Sequence, residues 1–294
     1  MDDREWLAEQ FEAHRAHLRS VAYRMLGSVS EADDAVQESW LRLSRSDAND
    51  IENLGGWLTT VVARVSLNML RSRDTRREEP MNVHVPDPIV SRDEVSGPED
   101  EAIVADSVGL ALLVVLETLT PAERLAFVLH DMFGVPFDEI STMVGRSPEA
   151  ARQLASRARR RVRGAAPVPD TDLSRQREVV DAFFAAAHGG DFDALVAVLD
   201  PDVVLRSDGG AARPDDSVVV RGAENVAARA LTFARLSPFV RPALVNGAAG
   251  VVVAPPGRVF SVLAFTVSDG KIVEIDGLSD PERLRDIDLT VLDD

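Results

Sequence analysis

The chain has 294 residues, a formal net charge of −17 and no cysteine, so it is long enough for two or three domains and cannot form disulfides or thiolate metal sites. It contains no run of 18 apolar residues, which argues against a membrane span. The acidic N-terminus lacks the apolar segment of a secretory signal, and we therefore expect a cytoplasmic protein.

Residues 4–78 predict an all-α domain of three helices with apolar faces. The first helix is predicted to end near Gly27. Ser30 is predicted to cap the second helix, with Asp33 closing an S-x-x-D capping box. A third, longer helix is predicted to begin at Trp57 and to run into a cluster of arginines.

Proline and acidic residues are frequent in residues 79–105, which lack apolar periodicity and are predicted to form an extended linker. Residues 106–164 predict a second all-α domain. Within it, Thr120 and Glu123 have the spacing of a capping box at the start of a helix.

The end of this second domain predicts a helix-turn-helix. Gly145 permits a sharp turn after one short helix, Ser147 is suited to cap the next, and Pro148 fits its first position. Residues 146–163 hold seven arginines and one acid although the whole chain is acidic. We therefore predict that this helix enters the major groove of DNA. A solvated basic face on an ordinary helical bundle is the alternative.

The character of the sequence changes after a second linker, residues 165–174. Residues 175–199 predict one or two amphipathic helices, and six strand-like segments follow. Asn246-Gly247 and Asp269-Gly270 predict hairpin turns, because both positions of such turns take positive φ. Helices followed by an antiparallel meander predict an α+β domain over residues 175–290, with a curved sheet around its helices.

This α+β domain offers three candidates for a catalytic base, Asp208, Asp276 and His188. Asp208 precedes two glycines and is predicted to lie in a loop, Asp276 ends a strand, and His188 ends a helix where a cation favours the dipole. Structural roles explain all three, so no enzymatic activity is predicted. The sequence shows neither a metal-binding cluster nor a phosphate loop, and we predict no cofactor.

Two stretches resemble regions of the sigma-70 family of bacterial transcription initiation factors. HRAHLRSVAYRMLGSVSEADDAVQESWLRLSR (14–45) is similar to region 2, and ETLTPAERLAFVLHDMFGVPFDEISTMVGRSPEAARQLASRARRRV (117–162) is similar to region 4. The lack of other sigma regions is typical of the extracytoplasmic-function type. The C-terminal domain resembles a SnoaL-like, ketosteroid-isomerase-like cone, as in the SigJ-like subgroup. We call this domain the cone.

The resemblance implies a sigma factor that binds core RNA polymerase and directs it to promoter DNA. It implies core polymerase contacts by four residues, Asp33, Asp34, Gln37 and Glu38. Contacts to the minus-10 element would come from Asn49, Asn53, Arg64, Asn68, Arg71 and Arg73. Contacts to the minus-35 element would come from Arg146, Ser147, Glu149, Arg152, Gln153, Ser156, Arg157 and Arg160, and residues 159–163 are expected to hold phosphates.

The resemblance also implies that the cone modulates the sigma domains through intramolecular contact. The family's linker motif stands here as VHVPDP (83–88), without its tryptophan. Two regulatory motifs are present in altered form, as Asp208, Gly209 and Gly210, and as Asp280, Pro281, Glu282, Arg283 and Leu284. A small ligand of the cone is left open.

The rival interpretation is a DNA-binding regulator fused to a small-molecule-binding or isomerase-type enzyme domain. Region 2 discriminates between the two, because a simple repressor needs no helix that docks on polymerase.

Overall fold

The computed structural model describes residues 3–46, 51–76, 83–91 and 109–287. Its chain divides into two compact units, Met1–Glu78 with Val115–Ala165, and Glu79–Val114 with Ala166–Asp294. The helical region predicted at residues 4–78 lies in the first unit. The second predicted region, 106–164, lies there from Val115 onward. The described part of the linker lies in the second unit, together with the cone.

The helices of the first unit follow the sequence prediction closely. They are α1 (Asp3–Leu26), α2 (Val29–Leu43), α3 (Leu54–Arg76), α4 (Leu110–Glu117, within which the division between the units falls), α5 (Pro121–Phe127), α6 (Phe137–Val144) and α7 (Pro148–Ala165). A π-helical turn, Val128–Met132, continues α5. The capping box of Thr120 and Glu123 is confirmed, and Gly145 takes a φ of 68° between α6 and α7.

The predicted cap of α2 was wrong by two residues. Ser28, not Ser30, is the N-cap, and its hydroxyl accepts a hydrogen bond from the Glu31 N–H. Gly27 has a φ of 68°, and Ser28 directly after it is extended. The chain therefore enters the helix at once, and Ser30 already lies inside the first turn.

Within the first unit, a buried arginine connects α5 to α1. The Arg124 side chain is only 4% exposed, and its Nη1 donates to the Met25 carbonyl at 2.9 Å and to Glu117 Oε1 at 2.8 Å. The Phe133 ring packs edge-on against the His17 ring with centroids 5.3 Å apart. The two predicted helical regions thus pack as one helical body.

The second unit is built on one seven-stranded sheet in the order β1-β4-β5-β6-β7-β2-β3. Its strands are β1 (Val90–Ser91), β2 (Leu199–Asp208), β3 (Val218–Arg221), β4 (Val240–Val245), β5 (Ala248–Val253), β6 (Ser261–Ser268) and β7 (Lys271–Leu278). Its helices are α8 (Leu173–Gly189), α9 (Phe192–Val198) and α10 (Ala223–Thr232). One apolar core joins the three helices to one sheet face.

The structure corrects the predicted strand pattern in two places. Strands β4 to β7 form the predicted antiparallel meander, and Asn246 and Asp269 take positive φ in its turns. However, β2 pairs with β7 in parallel. The linker also supplies a strand, because Val90 and Ser91 pair with β4. None of the described helices is both long and apolar enough to cross a membrane.

Candidate functional site

Helix α7, the second helix of the predicted helix-turn-helix, presents its polar face to solvent and its apolar face to the helical unit. Its buried residues are Ala151, Leu154, Ala155 and Ala158. All eight residues predicted to contact the minus-35 element are exposed, namely Arg146, Ser147, Glu149, Arg152, Gln153, Ser156, Arg157 and Arg160. The helix therefore offers arginine, glutamine and glutamate side chains together, which suits hydrogen bonding to base edges.

Two arginines of α7 are held by acids of the preceding helical turns. Arg159 Nε donates to Asp131 Oδ1 at 2.7 Å, and this hydrogen bond raises the pKa of Arg159. Arg161 Nη1 donates to Glu123 Oε2 at 2.9 Å. Both residues fall in the segment predicted to hold phosphates. Their ion pairs link α7 to the rest of the helical unit, and contact with phosphates stays a prediction for both.

The start of α7 combines capping with a candidate DNA contact. The Ser147 hydroxyl accepts a hydrogen bond from the Ala150 N–H at 3.2 Å, as expected for an N-cap. The Arg152 guanidinium lies 5.6 Å from the centroid of the Phe137 ring on α6. A cation–π contact of this kind restricts the arginine before any DNA is bound.

The four residues predicted to bind core polymerase lie on α2, away from its buried stripe. Asp33, Asp34 and Gln37 are exposed and Glu38 is half-buried. Asp33 accepts a hydrogen bond from Arg19 at 2.8 Å, and Glu38 accepts one from Arg42 at 2.8 Å. Such surface pairs contribute little to stability, so a partner can replace them at small cost.

The residues predicted to contact the minus-10 element are placed in different environments. Arg64 and Asn68 are exposed one turn apart on α3, and Arg71 is exposed one turn further on. Asn53 caps α3, since its Oδ1 accepts from the Gly56 N–H at 3.0 Å. Asn49 lies outside the described residues.

Arg73 differs from this group. Its Nη1 donates to the Leu26 carbonyl at 3.0 Å and its Nε donates to Glu31 Oε1 at 3.1 Å. The guanidinium therefore connects the end of α1 to the start of α2 and stabilises the packing of these helices.

In the second unit, Arg283 holds the linker against the cone. Its Nε donates to Asp87 Oδ1 at 2.8 Å, its Nη1 to Asp208 Oδ2 at 2.7 Å and its Nη2 to the Val85 carbonyl at 2.6 Å. Asp208 Oδ2 also accepts from the Val85 N–H at 3.0 Å. We call Arg283, Asp208, Asp87 and Val85 the linker clamp. It forms without the tryptophan of the family's linker motif.

Asp208 is the buried centre of this clamp, and its predicted position in a loop was wrong. It ends β2 and is 4% exposed. Burial alone would raise the pKa of Asp208. Hydrogen bonds from His84 and from the Val85 N–H, together with the Arg283 charge, outweigh burial and lower that pKa. The carboxylate is therefore ionised and paired at neutral pH.

The other residues of the two regulatory motifs pack closely beside the clamp. A Cβ at Gly209 would overlap the Arg213 carbonyl oxygen, and a Cβ at Gly210, where φ is 60°, would overlap the Asp280 carboxylate. Asp280 Oδ1 accepts from the Glu282 N–H at 2.9 Å. Leu284 is buried. Pro281 lies between the residues that make these contacts.

The other two candidates for a catalytic base have different surroundings. Arg206 donates to Asp276 Oδ1 and to Glu274 Oε1, both at 3.1 Å. Burial raises the pKa of Asp276 to about 6, although the Arg206 charge opposes the shift. His188 is exposed in the last turn of α8. Across the described ranges, no group of His, Asp and Glu side chains could hold a metal ion.

Two of the contacts that hold these sites were not predicted from the sequence. Asp87 lies in the linker motif VHVPDP (83–88), but nothing local marked it as a partner of Arg283. Arg124 follows directly after Glu123 of the capping box, so its position on a helix was clear. Its burial against the Met25 carbonyl depends on the approach of α1, which one sequence does not encode locally.

Comparison with known proteins gives consistent matches along the chain. The family model of sigma-70 region 2 matches residues 10–76, and that of sigma-70 region 4 matches residues 109–162. The chain is 40% identical to the ECF RNA polymerase sigma factor SigJ of Mycobacterium tuberculosis, over 93% of this chain and 92% of that protein. It is 38% identical to a probable ECF RNA polymerase sigma factor, SigI, of the same species, over 97% of both chains.

The structure is also similar to a solved one. The crystal structure of Mycobacterium tuberculosis SigJ matches with a TM-score of 0.78 and 37% sequence identity, over 96% of this chain and 99% of that one. The match extends through the cone as well as the helical regions.

Proposed function

The chain belongs to the extracytoplasmic-function sigma factors of the sigma-70 family, and we propose which of its residues contact polymerase and promoter and how its SnoaL-like cone modulates them. As a sigma factor it directs core RNA polymerase to promoters. We place this activity in the cytoplasm, where core polymerase and the chromosome are found.

The minus-35 element is read by the exposed face of α7. The observation that carries this proposal is the solvent-exposed cluster of arginines with Gln153 and Glu149 on the second helix of a helix-turn-helix. Arginine can bond guanine, glutamine can bond adenine, and glutamate can accept from cytosine. Arg159 and Arg161 hold the helix in place through Asp131 and Glu123.

The minus-10 element is bound along α3. Opening a promoter requires that an unstacked base be trapped and that single-stranded DNA be held by its phosphates. Arg64 and Arg71 supply positive charge, and Asn68 supplies an amide on the same face. Asn53 stays available at the start of α3, because its capping bond uses only its Oδ1.

Core polymerase is bound by the exposed side of α2, through Asp33, Asp34, Gln37 and Glu38. Two of these acids exchange their partners, Arg19 and Arg42, for basic groups of the polymerase. This exchange costs little because both pairs lie at the surface.

The cone modulates transcription through the linker clamp. The linker joins region 2 to region 4, so a cone that fixes its middle restricts how the two regions can move apart. Arg283 is the central residue of this control. The proposed role of the cone is binding and not catalysis, since Asp208 is bound in the clamp and Asp276 is paired with Arg206.

The experiment is run-off transcription with purified core polymerase on the DNA upstream of the protein's own gene. The full chain should yield a specific transcript. The double variant Arg152→Ala/Gln153→Ala should yield at least tenfold less, while Arg258→Ala, which removes an exposed arginine of the cone, should match the unaltered chain. No transcript together with no binding to core polymerase would refute the assignment.

The role of the cone is tested on the same template. Arg283→Ala should change transcript yield at least threefold, and Arg258→Ala again serves as the control with the same charge change. Equal yields from the two variants, at equal folded protein, would refute modulation through the clamp.

A further inference from the structure

A partly open cavity in the cone has no part in the functions assigned above. It is a cavity of about 120 Å³ between the sheet and helices α8 and α10. Five of the chain's eleven phenylalanines line it, Phe183, Phe184, Phe233, Phe260 and Phe265. Protein interiors are close-packed, so a space of this size lined by aromatic rings needs an explanation.

The inner end of the cavity is a fixed aromatic wall. Phe183 and Phe265 are almost fully buried. The rings of Phe183 and Phe184 meet edge to face with centroids 5.3 Å apart, and both lie 5.8 Å from the ring of Phe265. These are the offset arrangements that aromatic rings prefer, and a further ring can join them in the same way.

The outer end carries a loose ion pair. Arg229 Nη2 and Asp216 Oδ1 are 3.7 Å apart, and each side chain is 29% exposed. This separation is longer than a hydrogen bond. The Arg229 guanidinium also lies 5.2 Å from the centroid of the Phe233 ring. Both polar groups therefore line the cavity with hydrogen-bonding capacity to spare, one as a donor and the other as an acceptor.

The size of the space limits the ligand to about one ring. An engineered protein cavity of about 150 Å³ lined by Leu, Ile and Phe binds benzene. This cavity is slightly smaller but is open on one side, so it can hold one ring while a small substituent lies at the opening.

The charges favour a neutral molecule. The pair of Asp216 and Arg229 cancels its own charge, and Arg206, which also lines the cavity, is paired with Glu274 and Asp276. Residues 165–294 carry 21 acids against 12 bases, which repels anions. A phenolic hydroxyl fits this end, since one group can donate to Asp216 and accept from Arg229.

We propose that the cone cavity binds a small neutral aromatic molecule with one hydroxyl group, a single-ring phenol. The ring lies among Phe183, Phe184 and Phe265, and the hydroxyl lies between Asp216 and Arg229. This site is independent of polymerase and DNA, so it stands or falls separately from the sigma function.

The test is calorimetric titration of the full chain at pH 7 with three probes that share one ethyl-substituted ring and differ in the group opposite the ethyl. They are 4-ethylphenol, ethylbenzene, which lacks the hydroxyl, and 4-ethylbenzoate, which is an anion. We expect 4-ethylphenol to bind about tenfold more tightly than either of the others. Its binding should show a negative heat-capacity change, the mark of apolar burial. No binding of 4-ethylphenol, or equal affinity for all three probes, would overturn the proposal.

Two variants locate the site. Ala230→Phe fills the cavity from α10 and should abolish binding of 4-ethylphenol. Asp216→Asn leaves the aromatic wall intact and should weaken binding of 4-ethylphenol about tenfold. This variant keeps the test valid should Ala230→Phe fail to fold. Arg235→Gln alters an exposed arginine beyond α10 and should bind as the unaltered chain does. Unchanged affinity in Asp216→Asn, or in a folded Ala230→Phe, would show that the phenol binds elsewhere.

Discussion

Helix α7 and the linker clamp of the cone both use arginine side chains, but those of α7 are exposed whereas Arg283 of the clamp is partly buried. On α7, Arg152, Arg157 and Arg160 are exposed, and we propose that they contact DNA. In the clamp, Arg283 has three partners within its own unit. An exposed arginine can serve binding at little cost to stability, whereas a saturated one holds structure. Mutations of arginine in the clamp should therefore reduce stability much more than mutations of exposed arginines on α7.

The largest effect on stability is expected from Arg283→Ala. It removes the guanidinium from Asp87 and Asp208, and breaking a buried charge pair typically costs about 3–5 kcal/mol. The Arg283 side chain is 22% exposed, so we expect about 3 kcal/mol. Urea denaturation of the unit that holds the cone measures the change. A loss below about 1 kcal/mol would contradict the clamp as described.

Asp276 should make the stability of the cone depend on pH. Its pKa is raised from 3.8 to about 6, so the folded chain binds the proton more readily than the unfolded chain does. The stabilising contribution of Asp276 should therefore fall as pH rises from about 4 to about 6, by at most about 3 kcal/mol, and stay level above.

Asp276→Asn removes this titration. The difference in unfolding free energy between the unaltered chain and Asp276→Asn should therefore decrease across the same pH window. Asp202→Asn makes the same chemical change at an exposed residue and serves as the control. A difference that rises with pH, or does not vary with it, would show that burial does not govern this carboxyl group.

Gly210→Ala should destabilise the clamp by about 2 kcal/mol, because alanine at a φ of 60° is strained and its Cβ would overlap Asp280. Gly164→Ala, at a helical glycine with open space around it, is the matched control. Thermal unfolding of both variants measures the effect. Equal midpoints for the two would mean that the loop relaxes without cost.

Arg157→Ala should have the smallest effect on stability, within about 0.5 kcal/mol, since the side chain is exposed on α7. Arg159→Ala, two residues away, should cost more because it breaks the pair with Asp131. Chemical denaturation of the two variants side by side tests whether paired and exposed arginines on one helix differ. A larger loss of stability in Arg157→Ala than in Arg159→Ala would contradict this distinction between exposed and paired arginines.

The helix-turn-helix and the linker clamp also differ in how far each could be predicted from the sequence. Helix periodicity, Gly145, Ser147 and Pro148 predicted the helix-turn-helix, because the turn and cap signals lie within a few residues of one another. The clamp joins Val85 and Asp87 to Arg283 across nearly 200 residues, and no local pattern marks such a pairing. Asp208 was misjudged for the same reason, since its burial depends on a linker far earlier in the chain. The parallel pairing of β2 with β7 likewise depends on long-range topology.

Strand β1 has a consequence for the modularity of the chain. Because Val90 and Ser91 pair with β4, the folded body that holds the cone is encoded in two separated pieces. A fragment beginning at residue 166 would leave the β4 edge uncovered, and an open strand edge is a template for aggregation. Cutting after Gly164 likewise strips the linker of the surface that binds it. The linker and the cone must therefore fit each other in sequence, and the smallest soluble cone should need residues 83–91 supplied as a peptide or by circular permutation.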